Sequence, residues 1–126
     1  MNPVPVKKVL AVHDLSCIGR CSLSVILPII SSMGIQVCPL PTAIFSTHLG
    51  GFSTVSMNDF SSHIANFSAH WQREGIAFDS IYSGFLASAA QIEIVSQLID
   101  DFSTNHPHVL VDPVMGDDGK LYSLYT

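Results

Sequence analysis

Four short apolar runs alternate with helical stripes along this chain, and that alternation is the strongest constraint on its fold. Val6–Val12 is an apolar run bounded by Pro5 and His13, and it suits a buried strand. Ile35–Leu40, closed by Pro41, then Phe78–Tyr82 and Val109–Val111 repeat the pattern. Ser22–Met33 is apolar on most sides and stops at Gly34, with Pro28 marking a kink or a late helix start. Asn58 is placed to cap a second helix through Trp71, with Gly75 just beyond it. Phe60, Ile64, Phe67 and Trp71 recur at spacings of 4, 3 and 4, a single helical stripe. Ser88 and Gln91 form an S-x-x-Q capping box ahead of the stripe Ile92, Val95, Ile99 and Phe102. The order β-α-β-α-β-α-β implies an α/β fold with a parallel sheet and right-handed crossovers. Pro41–Met57 is long for a loop, which marks function or extra small strands.

Composition narrows the function classes. The chain has 126 residues, enough for one domain, with 48% hydrophobic and only 12% charged residues, so disorder is excluded. Such a low charge, with a mean hydropathy of +0.41, points to apolar surface covered by a partner or by more chain. Ten acidic against five basic residues leave no cationic footprint for nucleic acid. No run reaches a bilayer-spanning length, and the apolar stretch after Lys7 and Lys8 ends at His13. The expected location is cytoplasmic. Cys17, Cys21 and Cys38 are an odd count without a secretory signal, which reads as reduced thiols rather than a disulfide framework. Cys17 and Cys21 have no second close ligand pair, which speaks against zinc.

In an open parallel sheet, ligands bind beyond the carboxyl ends of the strands. Four segments meet that description. The first, His13–Arg20, sets Asp14, Ser16 and Gly19 before a helix, where short polar groups bind a small ligand or simply cap. The second, Phe45–Phe52, carries His48 and the paired Gly50 and Gly51. Ser83–Leu86 is the third. In the fourth, Asp112 ends a strand, and Asp117 and Asp118 follow in a Gly-flanked turn. Carboxylates there either hold Mg²⁺ beside a phosphate or serve as ordinary turn residues. Neither G-x-x-x-x-G-K-[ST] nor G-x-G-x-x-G occurs.

Taken together, Val12-His13-Asp14-Leu15-Ser16-Cys17-Ile18-Gly19-Arg20-Cys21, Phe45-Ser46-Thr47-His48-Leu49-Gly50-Gly51-Phe52, Tyr82-Ser83-Gly84-Phe85-Leu86 and Asp112-Pro113-Val114-Met115-Gly116-Asp117 resemble the pyridoxal kinases of the ribokinase-like superfamily. The similarity runs from Lys8 to Thr126. It implies a ribokinase-like three-layer α/β sandwich with a mainly parallel sheet. Residues 1–126 are then the N-terminal part of a single kinase domain, cut after about its fourth core strand. The implied reaction is ATP-dependent phosphorylation of the 5′-hydroxyl of pyridoxal, pyridoxamine or pyridoxine.

By position, the resemblance assigns Asp14, where the family usually keeps Ser, together with Ser16, Gly19 and His48 to the B6 pocket. Leu49 stands where a substrate-binding Thr is usual, so one hydroxyl contact is lost. Asp112 and Asp117 fall near the ATP phosphates and the metal, Mg²⁺ with a monovalent cation also admitted. The family's catalytic Asp lies in a later Gly-rich loop, so no residue here is assigned as the base, and the chain alone is expected to be inactive. Homodimers are common in the family, and Pro41–Met57 is the candidate interface. Asp-Pro-Val-Met-Gly-Asp is shared with hydroxymethylpyrimidine kinases, which form the alternative within the superfamily. A truncated, non-enzymatic α/β binding protein is the alternative outside it.

Overall fold

The computed structural model describes residues 5–125; Thr126, the last residue of the sequence similarity, lies outside them. A five-stranded sheet has the order β3-β2-β1-β4-β5. β1 (Lys8–Ser16) pairs in parallel with β2 (Gln36–Phe45) and β4 (Ser80–Ser83), and β4 pairs in parallel with β5 (His108–Val111). β3 (Met57–Asp59) is an antiparallel edge. The order runs one way from β1 to β2 and the other way from β2 to β4 and β5. Right-handed crossovers therefore put α1 (Leu23–Ser32) on one face of the sheet. The same rule puts α2 (Ser61–Arg73) and α3 (Ala89–Asp101) together on the other face, where they pack on each other.

The first strand is central, which explains its sequence. Val9 to Asp14 are all buried, as a strand covered on both faces requires. Leu10 and Val12 join Leu40, Ile64, Phe78, Ile81, Val95, Leu98 and Phe102 in the core on the α2–α3 side. β1 starts two residues later than the apolar run, and Val6 is exposed. It also runs on through His13, Asp14 and Ser16, which the hydropathy pattern places in a loop, because β2 pairs with it as far as Phe45.

β2 likewise passes through Pro39 and Pro41 instead of ending. The Gln36 amide donates to Lys7 O at 2.8 Å, so alternate residues turn their amides towards β1. Pro39 and Pro41 fall on the other parity and face an edge with no partner until β3 begins to pair at Ala43. The long segment Pro41–Met57 thus holds the end of β2 and the first residue of β3.

Asn58 lies in β3 and does not cap α2; the Asp59 carboxylate accepts from the Ser61 amide at 2.6 Å instead. Along α2, Ile64 is buried and Trp71 packs on Phe78, but Phe67 is exposed. Ser68 takes the inner place and donates to Asp101 Oδ2 across the α2–α3 seam at 2.5 Å. α3 is turned in the same way: Gln91, Val95, Leu98 and Phe102 face inward, while Ile92 is exposed. Ser88 caps the Gln91 amide as expected, at 3.3 Å. The Gln91 side chain reaches further than a capping box: Oε1 accepts from Ala87 N, and Nε2 donates to Thr42 O, Ser61 Oγ and Asp59 Oδ1.

That fully buried carboxamide ties β2, β3, α2 and α3 together. Gln91→Ala strands these groups and opens a void, so a loss of about 3 kcal/mol is expected in chemical denaturation.

After β5, β6 (Gly116–Asp117) and β7 (Lys120–Leu121) form a hairpin. Asp118 (φ 50°) and Gly119 (φ 73°) make its type I′ turn. β5 itself is exposed throughout, with Leu110 and Val111 more than half exposed, whereas strand position and apolar sequence anticipate burial. No helix among the described residues is long and apolar enough to cross a membrane.

Candidate functional site

The carboxyl ends of β1, β2 and β4 and the β6–β7 hairpin surround a cleft of about 380 Å³. Asp14, Ser16, His48, Leu49 and Asp117 line it, so five of the seven sequence-derived site residues converge. Phe85, which lines the cleft, belongs to a small apolar cluster with Ala43 and Phe45, against which Leu49 and Tyr122 pack.

Asp14 is placed by an irregularity in the sheet. Between His13 and Leu15 on β1, the partner residues on β2 advance from Pro41 to Ile44, so β2 carries one extra residue opposite Asp14. The carboxylate is 5% exposed. Burial pushes its pKa above the usual carboxylate range, opposed by hydrogen bonds from Ser22 and Ser16. Ser22 Oγ donates to Oδ1 at 2.6 Å; Ser16 Oγ reaches Oδ2 only at 3.5 Å and accepts from Cys21 Sγ at 3.4 Å. Ser22 stands at the N-cap of α1 but makes no side-chain cap bond, so the capping reading does not hold for it. Its φ of 49° lies in a region that costs a non-glycine residue about 1–3 kcal/mol.

His48 is clamped on several sides. Its amide donates to Ile18 O at 3.0 Å, and its ring stacks edge-on with Phe52 at 5.2 Å. Gly50 N donates to Nδ1 at 3.2 Å, which leaves the proton of the neutral ring on Nε2 as a donor. Gly19 belongs beside this ring rather than in the cleft lining: at φ 95°, a Cβ there would be driven into the imidazole. Glycine is therefore required at that position to seat His48.

Asp112 is apart from these residues. It lines a neighbouring trough of about 340 Å³ beside α1, with His13 and Tyr82, which adjoins the cleft at Ser22, Phe85 and Tyr122. His13 is 4% exposed, stacks edge-on with Tyr82, and its Nε2 has no hydrogen-bond partner. Burial lowers its pKa to about 4, with the Asp112 carboxylate and the Tyr82 backbone pulling the other way.

His13 and Asp14 thus have opposite effects on acid stability. His13 favours its neutral form in the fold, so its contribution is full above about 6.5 and is lost as pH falls towards about 4. That loss is about 3 kcal/mol. Asp14 favours its protonated form, so its contribution is present at low pH and lost as pH rises through its raised pKa. His13→Gln should flatten the fall of melting temperature from pH 6.5 to 4, and Asp14→Asn should raise the melting temperature at pH 7.

Asp117 accepts from Tyr122 Oη at 3.0 Å. Among the described residues no group of three His, Cys, Asp or Glu side chains converges to hold a metal ion, and the cysteines are free. Asp112 and Asp117 offer oxygen donors alone, a set suited to Mg²⁺ that arrives with phosphates and keeps its own waters rather than to a resident ion. The hydropathy pattern does not mark Arg20, Cys21, Phe85, Val114 or Tyr122 as site residues, yet all five line the cleft. Arg20 closes the first polar segment and Cys21 follows it directly; Tyr122 is placed only by the hairpin.

No family model matches the chain. It is 34% identical over 90 residues to a provisionally assigned pyridoxal kinase of Schizosaccharomyces pombe, covering 69% of this chain and 26% of that protein. It is 48% identical to a Bacteroides thetaiotaomicron protein provisionally described as a phosphomethylpyrimidine kinase and solved with pyridoxal. That match has a TM-score of 0.89 and covers 94% of this chain and 41% of the other. The pyridoxal kinase of Lactobacillus plantarum is 32% identical, with a TM-score of 0.84, over 97% of this chain and 43% of the enzyme. The chain therefore spans less than half the length of each of these proteins. In sequence and in fold the chain is pyridoxal kinase-like over the part of these proteins that it covers.

Proposed function

We propose that residues 1–126 form the N-terminal part of a kinase that phosphorylates the 5′-hydroxyl of pyridoxal, pyridoxamine or pyridoxine with ATP, in the cytoplasm. The observation that carries this reading is the convergence of Asp14, Ser16, His48 and Leu49 on one cleft. It is strengthened by a chain 48% identical to this one having been solved with pyridoxal.

In this reading the chain's residues bind and orient. Asp14 and Ser16 contribute acceptors and a hydroxyl, and His48 Nε2–H contributes a donor. The apolar wall of Leu49 and Phe85 excludes water from one side of the ring. Asp112 and Asp117 would hold Mg²⁺, which neutralises phosphate charge when bound. The full-length enzyme acts as a homodimer. The catalytic base comes from chain beyond these residues, so catalysis is a property of the larger protein.

The second reading is a hydroxymethylpyrimidine kinase, favoured by the description of the Bacteroides neighbour. Leu49 supplies an apolar wall that either ring can meet, so affinity must decide. Equilibrium dialysis of the chain against pyridoxine and against hydroxymethylpyrimidine is expected to favour pyridoxine by about tenfold, the scale of one well-placed hydrogen bond. A preference for hydroxymethylpyrimidine reverses the assignment.

A further inference from the structure

We propose that Ser22 is a positioning residue: its hydroxyl pins one oxygen of Asp14 so that the other is presented to an N–H or O–H group of the bound ring. The proposal rests on the pyridoxal kinase reading and names how that site chooses its ligand. Three observations carry it.

The first is backbone strain with no helical purpose. Ser22 has φ 49° and ψ −129°, a combination that suits glycine. At an N-cap, serine ordinarily accepts from a first-turn amide. Here those amides are already served: Ser24 N donates to Cys21 O, and Val25 N and Ile26 N donate to Ser22 O. The Ser22 hydroxyl is free for another task, and α1 would start as well without it.

The second is the inequality of the two carboxylate oxygens. Oδ1 takes the 2.6 Å bond from Ser22, whereas the side-chain contact of Oδ2 is the 3.5 Å one with Ser16, at the limit of a hydrogen bond; the Asp14 amide is the other donor to this carboxylate. Oδ2 therefore keeps acceptor capacity inside a buried setting, where an unpaired acceptor is costly. A donor from the ligand resolves that cost.

The third is placement. Asp14, Ser16 and Ser22 all line the cleft, and Asp14 itself sits on the central strand opposite the extra residue of β2. The strand fixes its backbone, and Ser22 fixes the rotation of its carboxylate. A carboxylate held in this way accepts only, so it selects rings bearing a protonated nitrogen or a hydroxyl over rings bearing acceptors alone.

The test uses the 126-residue chain at low micromolar concentration with pyridoxine, which lacks an aldehyde to react with lysines. Ser22→Ala and Ser22→Gly are each expected to weaken binding about tenfold or more. Ser22→Gly is expected at the same time to keep or raise the melting temperature, because glycine relaxes this backbone. A purely structural serine gives the other pattern: affinity unchanged in Ser22→Gly, or lost only in step with melting temperature, and that pattern overturns the proposal.

Failure of the native chain to bind pyridoxine would sink the kinase reading and with it the ligand half of this proposal, leaving only the hold of Ser22 on Asp14 to be judged. Ser22 is then judged without ligand, from the pH dependence of melting that Asp14→Asn removes. In Ser22→Ala that component should move to higher pH, since the hydroxyl that holds the Asp14 pKa down is gone; an unmoved component overturns the proposal.

Discussion

The 126-residue chain on its own should transfer no measurable phosphate from ATP to pyridoxal. Mixed or co-expressed with the portion of the Bacteroides neighbour that it does not cover, it should recover turnover. Two causes combine here, one positional and one electrostatic. Phosphoryl transfer depends on positioning and on neutralising the charge of the transferred group. Among the residues lining the cleft, Arg20 is the only Lys or Arg, set against Asp14 and Asp117, in a chain of net charge −5. The complementary portion is expected to supply the base, worth about 10²–10⁴-fold by itself, and further phosphate contacts. A rise of at least about 10²-fold over either part alone is therefore the expected reading in a coupled ADP assay. Robust turnover by the 126-residue chain alone would show that the site is already whole and would end the N-terminal-part reading.

How far the sequence led depends on the kind of residue. The four parallel strands, three helices and their order were legible because apolar periodicity reports burial directly. The cleft was legible through Asp14, Ser16, His48 and Asp117, because ligands gather at strand ends and these polar types stand there, whereas Leu49 was marked only by the resemblance to the pyridoxal kinases. What periodicity could not report was polar burial. Gln91 counts as a surface residue in any hydropathy pattern, yet it is fully buried with four hydrogen bonds, and this turns α3 so that Ile92 faces out. Ser68 does the same for α2 at the expense of Phe67. Prolines misled for a related reason: Pro39 and Pro41 end a strand only if their nitrogens face a partner, and here they face an open edge. The role of Ser22 was hidden because a serine before a helix is usually its cap, and only the backbone angles and the bond to Asp14 separate the two uses. Asp112 was read together with Asp117 because they are five residues apart, whereas the fold sets them on two adjoining hollows.

Concentration-dependent self-association of the isolated chain is the other large effect expected, and β5 is its cause. A parallel sheet normally has both faces covered, and its strands read as apolar for that reason. Among the described residues β5 is paired only with β4, and Val109, Leu110 and Val111 are 46%, 59% and 57% exposed. An unpaired apolar edge of this kind templates pairing with another chain. Across the sheet, α1 is apolar along most of its length, yet only Leu23 is fully buried, and Ile29 and Met33 are exposed. The low charge of the sequence thus has its place in the structure: these are surfaces suited to cover. Sedimentation velocity should show the mass of the native chain rising with concentration. Leu110→Lys puts a charge on the most exposed apolar position of the edge strand and should weaken association by about 10–100-fold, since burying one leucine contributes roughly 1.5–3 kcal/mol. If the same edge receives the complementary kinase portion, Leu110→Lys should lower the recovered turnover in parallel, while Met33→Lys on α1 tests the other face separately. A native chain that stays a monodisperse monomer at high micromolar concentration would show that β5 tolerates exposure. The apolar edge would then need a different explanation from cover by more chain.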